Sequence, residues 1–219
     1  MTALLPPTYE KVLEVGCANG AFSAALKLAS ETWGVEQVQA AAAKAALRLT
    51  HVLNGKYDEV ADRIPADYFD LAVCNDVIEH VEDHDRFLAS IHEKLRPRAC
   101  LIGSVPNVRN YRVLYELLVH RDWQYGDYGI LDRTHLRFFT EKSLRRALER
   151  SGFDVEVLVG INSSIQRVDD ALNMAKRAFF SCVSAATLGR YRDIRYLQFG
   201  FRARKGSQDP TARVRQQKR

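Results

Sequence analysis

Two carboxylates and a run of small residues near the start of the chain have the types and the spacing of a ligand-binding site. Residues 12–20 read VLEVGCANG, an apolar strand that contains Glu14 and runs into a turn. The two glycines of this turn, Gly16 and Gly20, let the backbone approach a ligand closely. Glu36 follows at the end of a second predicted strand, where its carboxylate can accept two hydrogen bonds from a ribose diol. The pattern predicts a site for a ribose-containing cofactor beyond the carboxyl ends of these strands.

A nicotinamide dinucleotide is one alternative, because its fingerprint, G-x-G-x-x-G/A, also joins a strand to a helix. The first glycine of that fingerprint would be Gly16, and the second would fall on Ala18. The missing second glycine argues against a dinucleotide cofactor.

The elements that must position these residues alternate along the chain. Short apolar runs predict strands, and helix-favouring runs between them predict helices. This alternation indicates an α/β fold with a doubly wound, mostly parallel sheet. The predicted strands cover residues 11–15, 32–36, 51–54, 68–75, 99–105, 153–159 and 196–202, and the predicted helices cover residues 21–29, 37–49, 83–95 and 140–151.

Over about residues 10–160 the sequence resembles the class I S-adenosylmethionine-dependent methyltransferases. Their first motif, an acidic residue followed by G-x-G-x-G, corresponds to Glu14-Val-Gly-Cys-Ala-Asn-Gly20, with alanine in place of the central glycine. Gly34-Val-Glu36 is similar to the second motif, and residues 69–80, FDLAVCNDVIEH, are similar to the fourth. The resemblance implies a Rossmann-like methyltransferase sheet with an antiparallel final strand.

The same resemblance implies S-adenosylmethionine as the cofactor and assigns roles to individual residues. Gly16, Ala18 and Gly20 would lie under the methionine part, and Glu14 would bind its amino group. Glu36 would bind the ribose hydroxyls. The other residues assigned to the cofactor site are Gln37, Tyr57, Asn75, Asp76 and His80, of which Asn75 would lie near the methionine and His80 would close the pocket.

The contact to the adenine ring is left open by the sequence. An acidic residue of many relatives falls near Lys56 in this chain. Tyr57 could stack on the adenine, or Asp58 could replace the usual acid. A purely structural role for Tyr57 is the third alternative.

Residues 106–139 form a predicted insert that is too long for a plain connection and rich in aromatic residues. Its end, together with Thr140, reads GILDRTHLRFFT. This stretch is similar to one in methyltransferases encoded among polysaccharide and lipopolysaccharide biosynthesis enzymes. It is also similar, more loosely, to the quinone-precursor O-methyltransferases. We therefore expect the insert to bind the methyl acceptor.

The sulfonium methyl group is already activated, so the protein must align the acceptor and remove the proton of its hydroxyl. His135 is the first candidate for this base, because neutral imidazole is available near pH 7. Asp132 and Tyr128 are the other predicted catalytic residues, while Trp123 and Tyr125 could stack on a sugar. The alternative is that His135 only braces the loop.

The sequence predicts no metal site. His80 and His84 are four residues apart and stand near acidic residues. Asp83 lies between them as the predicted N-cap of a helix, so the two imidazoles would not share one helical face.

Residues 1–204 are predicted to form one domain, followed by a disordered tail at 205–219. Residues 204–219 carry six basic residues and one acidic residue, which accounts for the whole net charge of +5. The neutral remainder speaks against nucleic-acid binding. A helix predicted over 163–188 would cover the sheet or a homodimer partner, with peripheral membrane binding as an alternative.

The sequence thus predicts an O-methyltransferase that acts on a sugar hydroxyl in glycan or surface-polysaccharide assembly. The alternatives are a small-molecule enzyme of the quinone-precursor type, a non-catalytic protein and a nucleic-acid-binding protein. Four widely spaced cysteines and the lack of a signal-peptide pattern or a long apolar run predict a cytoplasmic location.

Overall fold

The computed structural model describes residues 1–163, 178, 182 and 185–206. Most of the helix predicted over 163–188 therefore lies outside the described residues, as does the tail from residue 207 onward. Within the described ranges, no helix combines the length and the apolarity needed to cross a membrane.

Seven strands form one sheet in the order β3-β2-β1-β4-β5-β7-β6. Strands β1 to β5 are parallel, and β7 lies antiparallel between β5 and β6. The doubly wound sheet with an antiparallel final strand is confirmed. The strands are β1 (Lys11–Val15), β2 (Glu31–Glu36), β3 (His51–Asn54), β4 (Phe69–Asn75), β5 (Leu95–Pro106), β6 (Phe153–Ser163) and β7 (Tyr196–Lys205).

Helices connect the strands of the parallel part, and most of them are short. The α-helices are α1 (Ala21–Ala24), α2 (Gln39–Ala45), α3 (Tyr57–Val60), α4 (His84–Lys94), α5 (Tyr111–Tyr115) and α6 (Glu141–Arg150). A π-helical turn (Glu116–His120) continues α5, and one-turn 3-10 helices cover Thr2–Leu4, Ala61–Arg63, Ile78–His80 and Arg192–Arg195.

Helices begin where the sequence predicts when a capping side chain is present. Asp83 caps α4 by accepting the Arg86 N–H at 2.9 Å, and Thr140 forms a capping box with Ser143 at the start of α6. Helix α2 is shorter than predicted, and its N-cap, Val38, offers no side-chain acceptor. The predicted helix at 21–29 likewise ends after one turn.

Both faces of the central strands are buried, so a ligand can reach these strands at their ends. Successive residues of β4 enter opposite cores: Ala72 and Cys74 belong to the larger cluster, and Leu71 and Val73 belong to the smaller one. The last strand extends through Lys205, which the sequence analysis assigned to the tail. Its ammonium group donates to Asp67 Oδ1 at 2.9 Å and to the Leu95 carbonyl at 2.6 Å.

Candidate active site

Parallel pairing brings the ends of β1, β2 and β4 to one edge of the sheet. Glu14 on β1 is in register with Gly34 on β2 and with Val73 on β4. The residues that follow these strands therefore share one region, which contains most of the predicted cofactor residues.

The turn after β1 has the conformation that the first motif requires. Gly16, Ala18 and Gly20 all have positive φ angles, of 70°, 48° and 75°. A Cβ atom on Gly16 would lie 2.7 Å from Cγ2 of Val77, so glycine is needed there for space as well as for conformation. The left-handed conformation costs Ala18 about 1–2 kcal/mol. This cost is small enough for alanine to stand where the family has glycine.

Glu36 ties this turn to the end of β2. Its Oε2 accepts the Ala18 N–H at 2.9 Å, and its Oε1 accepts the Val38 N–H at 2.8 Å. The side chain is buried, yet each carboxylate oxygen keeps a further lone pair for a hydroxyl group. Gln37, the next residue, is exposed, and its carbonyl accepts a hydrogen bond from Asn54 Nδ2 at 3.2 Å.

Glu14 is 4% exposed and accepts the Ser23 N–H at 3.2 Å. Burial raises the pKa of this carboxyl group to about 7. The hydroxyl oxygen of Ser23 is buried beside it and has no hydrogen-bond partner within the described ranges. The sequence analysis did not single out Ser23, although its place three residues after Gly20 is a usable signal. The pair can receive a cationic amino group.

Asn75 and Asp76 complete this half of the site. The Oδ1 atom of Asn75 is buried and has no hydrogen-bond partner in the described part of the chain. Asp76 has a φ of 53° and is held by two side chains: its Oδ1 accepts from Ser104 Oγ at 2.9 Å and from Gln198 Nε2 at 2.6 Å. Strands β5 and β7 thus orient the loop that follows β4.

Tyr57 lies in the larger hydrophobic cluster and not at a free surface. Its ring packs edge-on against Phe87 at a centroid distance of 4.9 Å, and its hydroxyl lies 3.0 Å from Ser90 Oγ. Burial raises the pKa of this phenol. This placement opposes stacking on adenine and favours the structural alternative. Asp58, the other candidate for the adenine contact, is exposed.

The second half of the site comes from the insert, which contacts the Ile78–His80 turn. The Glu79 carbonyl accepts the N–H groups of Leu136 and Arg137 at 2.8 and 3.1 Å. Nδ1 of His80 lies 3.2 Å from the Thr134 carbonyl and 3.3 Å from the Thr134 hydroxyl. The GILDRTHLRFFT stretch is therefore attached beside the loop that follows β4.

His135 is held through one ring nitrogen, and its other ring nitrogen has no hydrogen-bond partner among the residues that the structure describes. Its Nδ1 lies 2.9 Å from the Ile130 carbonyl. A carbonyl only accepts, so the neutral imidazole carries its proton on Nδ1 and leaves a lone pair on Nε2. The ring packs edge-on against His80, with centroids 4.8 Å apart. His135 thus presents a basic nitrogen next to the His80 turn.

Glu79 is fully buried, and neither carboxylate oxygen has a hydrogen-bond partner within residues 1–163, 178, 182 and 185–206. Burial raises the pKa of this carboxyl group to about 8. Ligand atoms of Glu79, His80 and His135 all lie within 4.8 Å of one another, which is a spacing that could hold a metal ion. From the sequence, His80 was paired with His84 as a possible metal site. The group of Glu79, His80 and His135 could not be found in that way, because Glu79 and His135 meet only in the folded chain.

A cleft of about 520 Å³ opens next to His135. Its walls are aromatic, aliphatic and cationic, and the lining residues are Tyr125, Arg133, His135, Leu136 and Phe138. Trp123 packs edge-on against Phe138 at 5.4 Å. The cleft thus combines two aromatic rings and a leucine with one imidazole and one guanidinium group.

The other two predicted catalytic residues are placed differently. Tyr128 is 87% exposed and does not line the cleft. Asp132 accepts the N–H and the hydroxyl of Thr134 at 2.8 and 2.7 Å, and these hydrogen bonds lower its pKa. Its carboxylate shapes the turn before His135, so the structure brings only His135 of the three to the cleft.

Comparisons with known proteins agree with this fold. A family described as a methyltransferase domain matches residues 2–158. The ubiquinone biosynthesis O-methyltransferase of Schizosaccharomyces pombe, a mitochondrial protein, is 31% identical over 102 residues, which cover 43% of this chain and 37% of the relative. A protein of the same name from Pseudomonas syringae pv. tomato is 30% identical over 105 residues, or 45% of each chain.

The matched segments span less than half the length of these curated relatives. Among solved structures, a SAM-dependent methyltransferase from Archaeoglobus fulgidus has a TM-score of 0.64 at 18% identity, over 93% of this chain and 89% of that one. That likeness supports the fold, while the family match extends over most of the chain. The chain therefore belongs to the methyltransferase domain family and is a class I methyltransferase whose cofactor is S-adenosylmethionine.

Proposed function

We propose that this methyltransferase transfers the methyl group to a hydroxyl of a small aromatic acceptor, with His135 as the proton acceptor. The observation that carries the proposal is the position of His135. Its Nδ1 is occupied by the Ile130 carbonyl, the residue lines the cleft formed by the insert, and its ring packs against His80 in the turn after β4.

The residues at the end of β1 fit S-adenosylmethionine. Buried Glu14 can take the cofactor's amino group, and the unpaired Oδ1 of Asn75 can accept a hydrogen bond from the same group. Gly16 allows the turn after β1 to lie against Val77, and the main chain of this turn is then available for the methionine part of the cofactor to pack against. Glu36 is left to bind the ribose hydroxyls. When bound, the cofactor supplies an activated methyl group.

The acceptor is assigned to an aromatic hydroxyl for two reasons. Phe138 and Tyr125 give the cleft planar apolar walls, which suit a flat ring. The curated relatives are named ubiquinone biosynthesis O-methyltransferases, which matches the quinone-precursor alternative. The sugar hydroxyl expected from the sequence finds no support in these comparisons.

In this assignment the chain performs two tasks. The cleft would hold the acceptor ring close to the cofactor, which would lower the entropic cost of bringing the hydroxyl and the methyl group together. His135 Nε2 takes the hydroxyl proton as the new bond forms. Asp132 and Thr134 contribute by fixing the turn that carries His135.

The unpaired oxygens of Glu79 favour a second candidate mechanism, in which Glu79, His80 and His135 hold a divalent cation that binds the acceptor oxygen. Carboxylate and imidazole groups are common ligands of such ions. Calorimetric titration with Zn²⁺ or Mn²⁺ should then show one site, which Glu79→Gln abolishes and which His84→Gln, outside the group, retains. A wild-type protein that binds neither ion would exclude this mechanism.

Replacing Glu36 by Ala should weaken binding of S-adenosylhomocysteine by roughly 1–3 kcal/mol, or about 5- to 150-fold in Kd, since hydrogen bonds to a charged acceptor are lost. Isothermal titration calorimetry measures the change. Glu31→Gln is the matched control, because Glu31 begins the same strand at the opposite edge. Equal Kd values for Glu36→Ala and wild type would contradict the role of Glu36.

His135→Ala should lower turnover by roughly 10²- to 10⁴-fold, the usual contribution of a positioned base, while Kd for S-adenosylhomocysteine changes little. The assay follows methylation of a catechol such as 3,4-dihydroxybenzoate. His120→Ala provides the control, because His120 lies in the same insert and packs on Tyr115 away from the cleft lining. Wild-type turnover by His135→Ala would disprove the assignment.

Glu14 should make the cofactor-free protein less stable as the pH rises. Its folded-state pKa lies near 7, above the ordinary 4.5, so its destabilising effect develops between about pH 4.5 and pH 7. Glu14→Gln should therefore be stabilised relative to wild type by roughly 2–3 kcal/mol at pH 8, and not at pH 4. Thermal unfolding at both pH values measures the difference.

Glu31→Gln should behave in the opposite way. Hydrogen bonds from Trp33 and Tyr68 lower the pKa of Glu31, so its contribution to stability is present above its unfolded pKa. The variant should lose stability at pH 8 relative to pH 4.

A Glu14→Gln variant with the same pH dependence as wild type would contradict the burial of a titrating Glu14.

A further inference from the structure

Two fully buried asparagines stand where the insert begins. Asn107 donates from Nδ2 to the carbonyls of Asp193 and Tyr196 at 2.9 and 3.0 Å, and its Oδ1 accepts the Arg109 N–H at 2.9 Å. Asn110 donates from Nδ2 to the same Tyr196 carbonyl at 2.9 Å. Buried amides are retained only when their hydrogen bonds are satisfied, and here the partners are backbone groups just before and at the start of β7.

A partly buried ion pair joins the same two segments. Arg109 donates from Nε and Nη2 to the two carboxylate oxygens of Asp193 at 2.8 and 3.3 Å. Its guanidinium group also lies over the Tyr191 ring, 5.1 Å from the centroid. A two-pronged pair of this kind fixes orientation as well as distance.

The end of the insert returns to the same point. Asn107 forms an isolated bridge with Phe139, and Val108 donates its N–H to the Phe139 carbonyl at 3.1 Å. The Asn107 N–H in turn donates to the Leu197 carbonyl at 2.9 Å. The two ends of the insert are thus attached to each other, and the first of them is also attached to β7.

The start of β7 also reaches the loop after β4, through the hydrogen bond from Gln198 to Asp76. One short stretch, residues 193–198, therefore contacts the base of the insert on one side and the cofactor half of the site on the other. His135 lies only four residues before Phe139, so the orientation of this base contributes to where its imidazole lies.

We propose that Asn107, Arg109 and Asp193 are positioning residues that set the distance between the acceptor cleft and the cofactor half of the site. This inference rests on the proposed function for its effect on catalysis, although none of the three lines the cleft. Apart from this base, the His135 segment is held to the Ile78–His80 turn by the hydrogen bonds from Leu136 and Arg137 to the Glu79 carbonyl and by the contacts of Thr134 and His135 with His80. A displacement of about 1 Å between reacting groups can cost roughly 10²-fold in rate.

The first test reverses the charge of each partner of the ion pair and then combines the two reversals. The readout is amide hydrogen exchange, measured on the full chain saturated with S-adenosylhomocysteine. Arg109→Asp and Asp193→Arg should each raise exchange in residues 130–138 by roughly tenfold while β1 to β4 stay protected. The double variant should restore protection. Arg202→Gln is the control, because it breaks an ion pair with Glu156 at the opposite end of β7.

The second readout is the split between kcat and KM. Binding of S-adenosylhomocysteine gives the number of competent sites, and kcat is expressed per site. With 3,4-dihydroxybenzoate as the acceptor, kcat should fall about 10- to 100-fold in the single variants and recover in the double variant. A purely structural role would lower the number of competent sites and leave kcat per site unchanged. If a reversal variant fails to fold, the neutral pair Arg109→Gln and Asp193→Asn gives the same readouts.

The outcomes separate this inference from the proposed function. Unchanged exchange in residues 130–138, or loss of protection throughout the sheet, would overturn the positioning role. Local loss of protection with rescue, in a wild-type protein that methylates no catechol, would support the positioning role and contradict the proposed acceptor.

Discussion

Parallel pairing of β1 with β2 and β4 brings the carboxyl ends of three strands to one edge of a sheet whose two faces are covered. Ligands can reach the main chain only where the strands end, so the Gly16 to Gly20 turn, Glu36 and Asn75 share one region. A shift of one residue in this register would move Glu14 to the other face of the sheet and remove the site. The cofactor half of the molecule follows from that register.

Several buried polar groups at this edge lack the hydrogen-bond partners that buried groups normally have, within the described residues. Glu14 and Glu79 are almost inaccessible, and burial raises the pKa of both carboxyl groups. The Oδ1 of Asn75 and both oxygens of Glu79 have no hydrogen-bond partner among the described residues. Leaving such groups unpaired costs roughly 1–3 kcal/mol each. Sites that keep such groups are expected to be functional, because ligand groups can supply the missing partners.

The insert, which carries the proposed acceptor cleft, is attached to this edge by main-chain and side-chain hydrogen bonds. The Glu79 carbonyl holds the N–H groups of Leu136 and Arg137, while Asn107 and the ion pair of Arg109 with Asp193 hold the base of the insert. The insert is thus attached at two points with its aromatic wall between them. This arrangement places the cleft proposed for the acceptor and the cofactor turn on separate segments of the chain.

Local chemistry in the sequence determined the strand order along the chain, the glycine turn and the capped helices at Asp83 and Thr140, because neighbouring residues decide these features. Contacts between distant segments required the tertiary structure. The sequence could not show that Tyr57 points into the core, that Tyr128 is exposed or that Asp132 shapes a turn. Nor could it bring Glu79 to His135, since their approach depends on how the insert packs against the sheet edge. Periodicity and motifs encode which residues are near in sequence, whereas long-range packing decides which side chains meet.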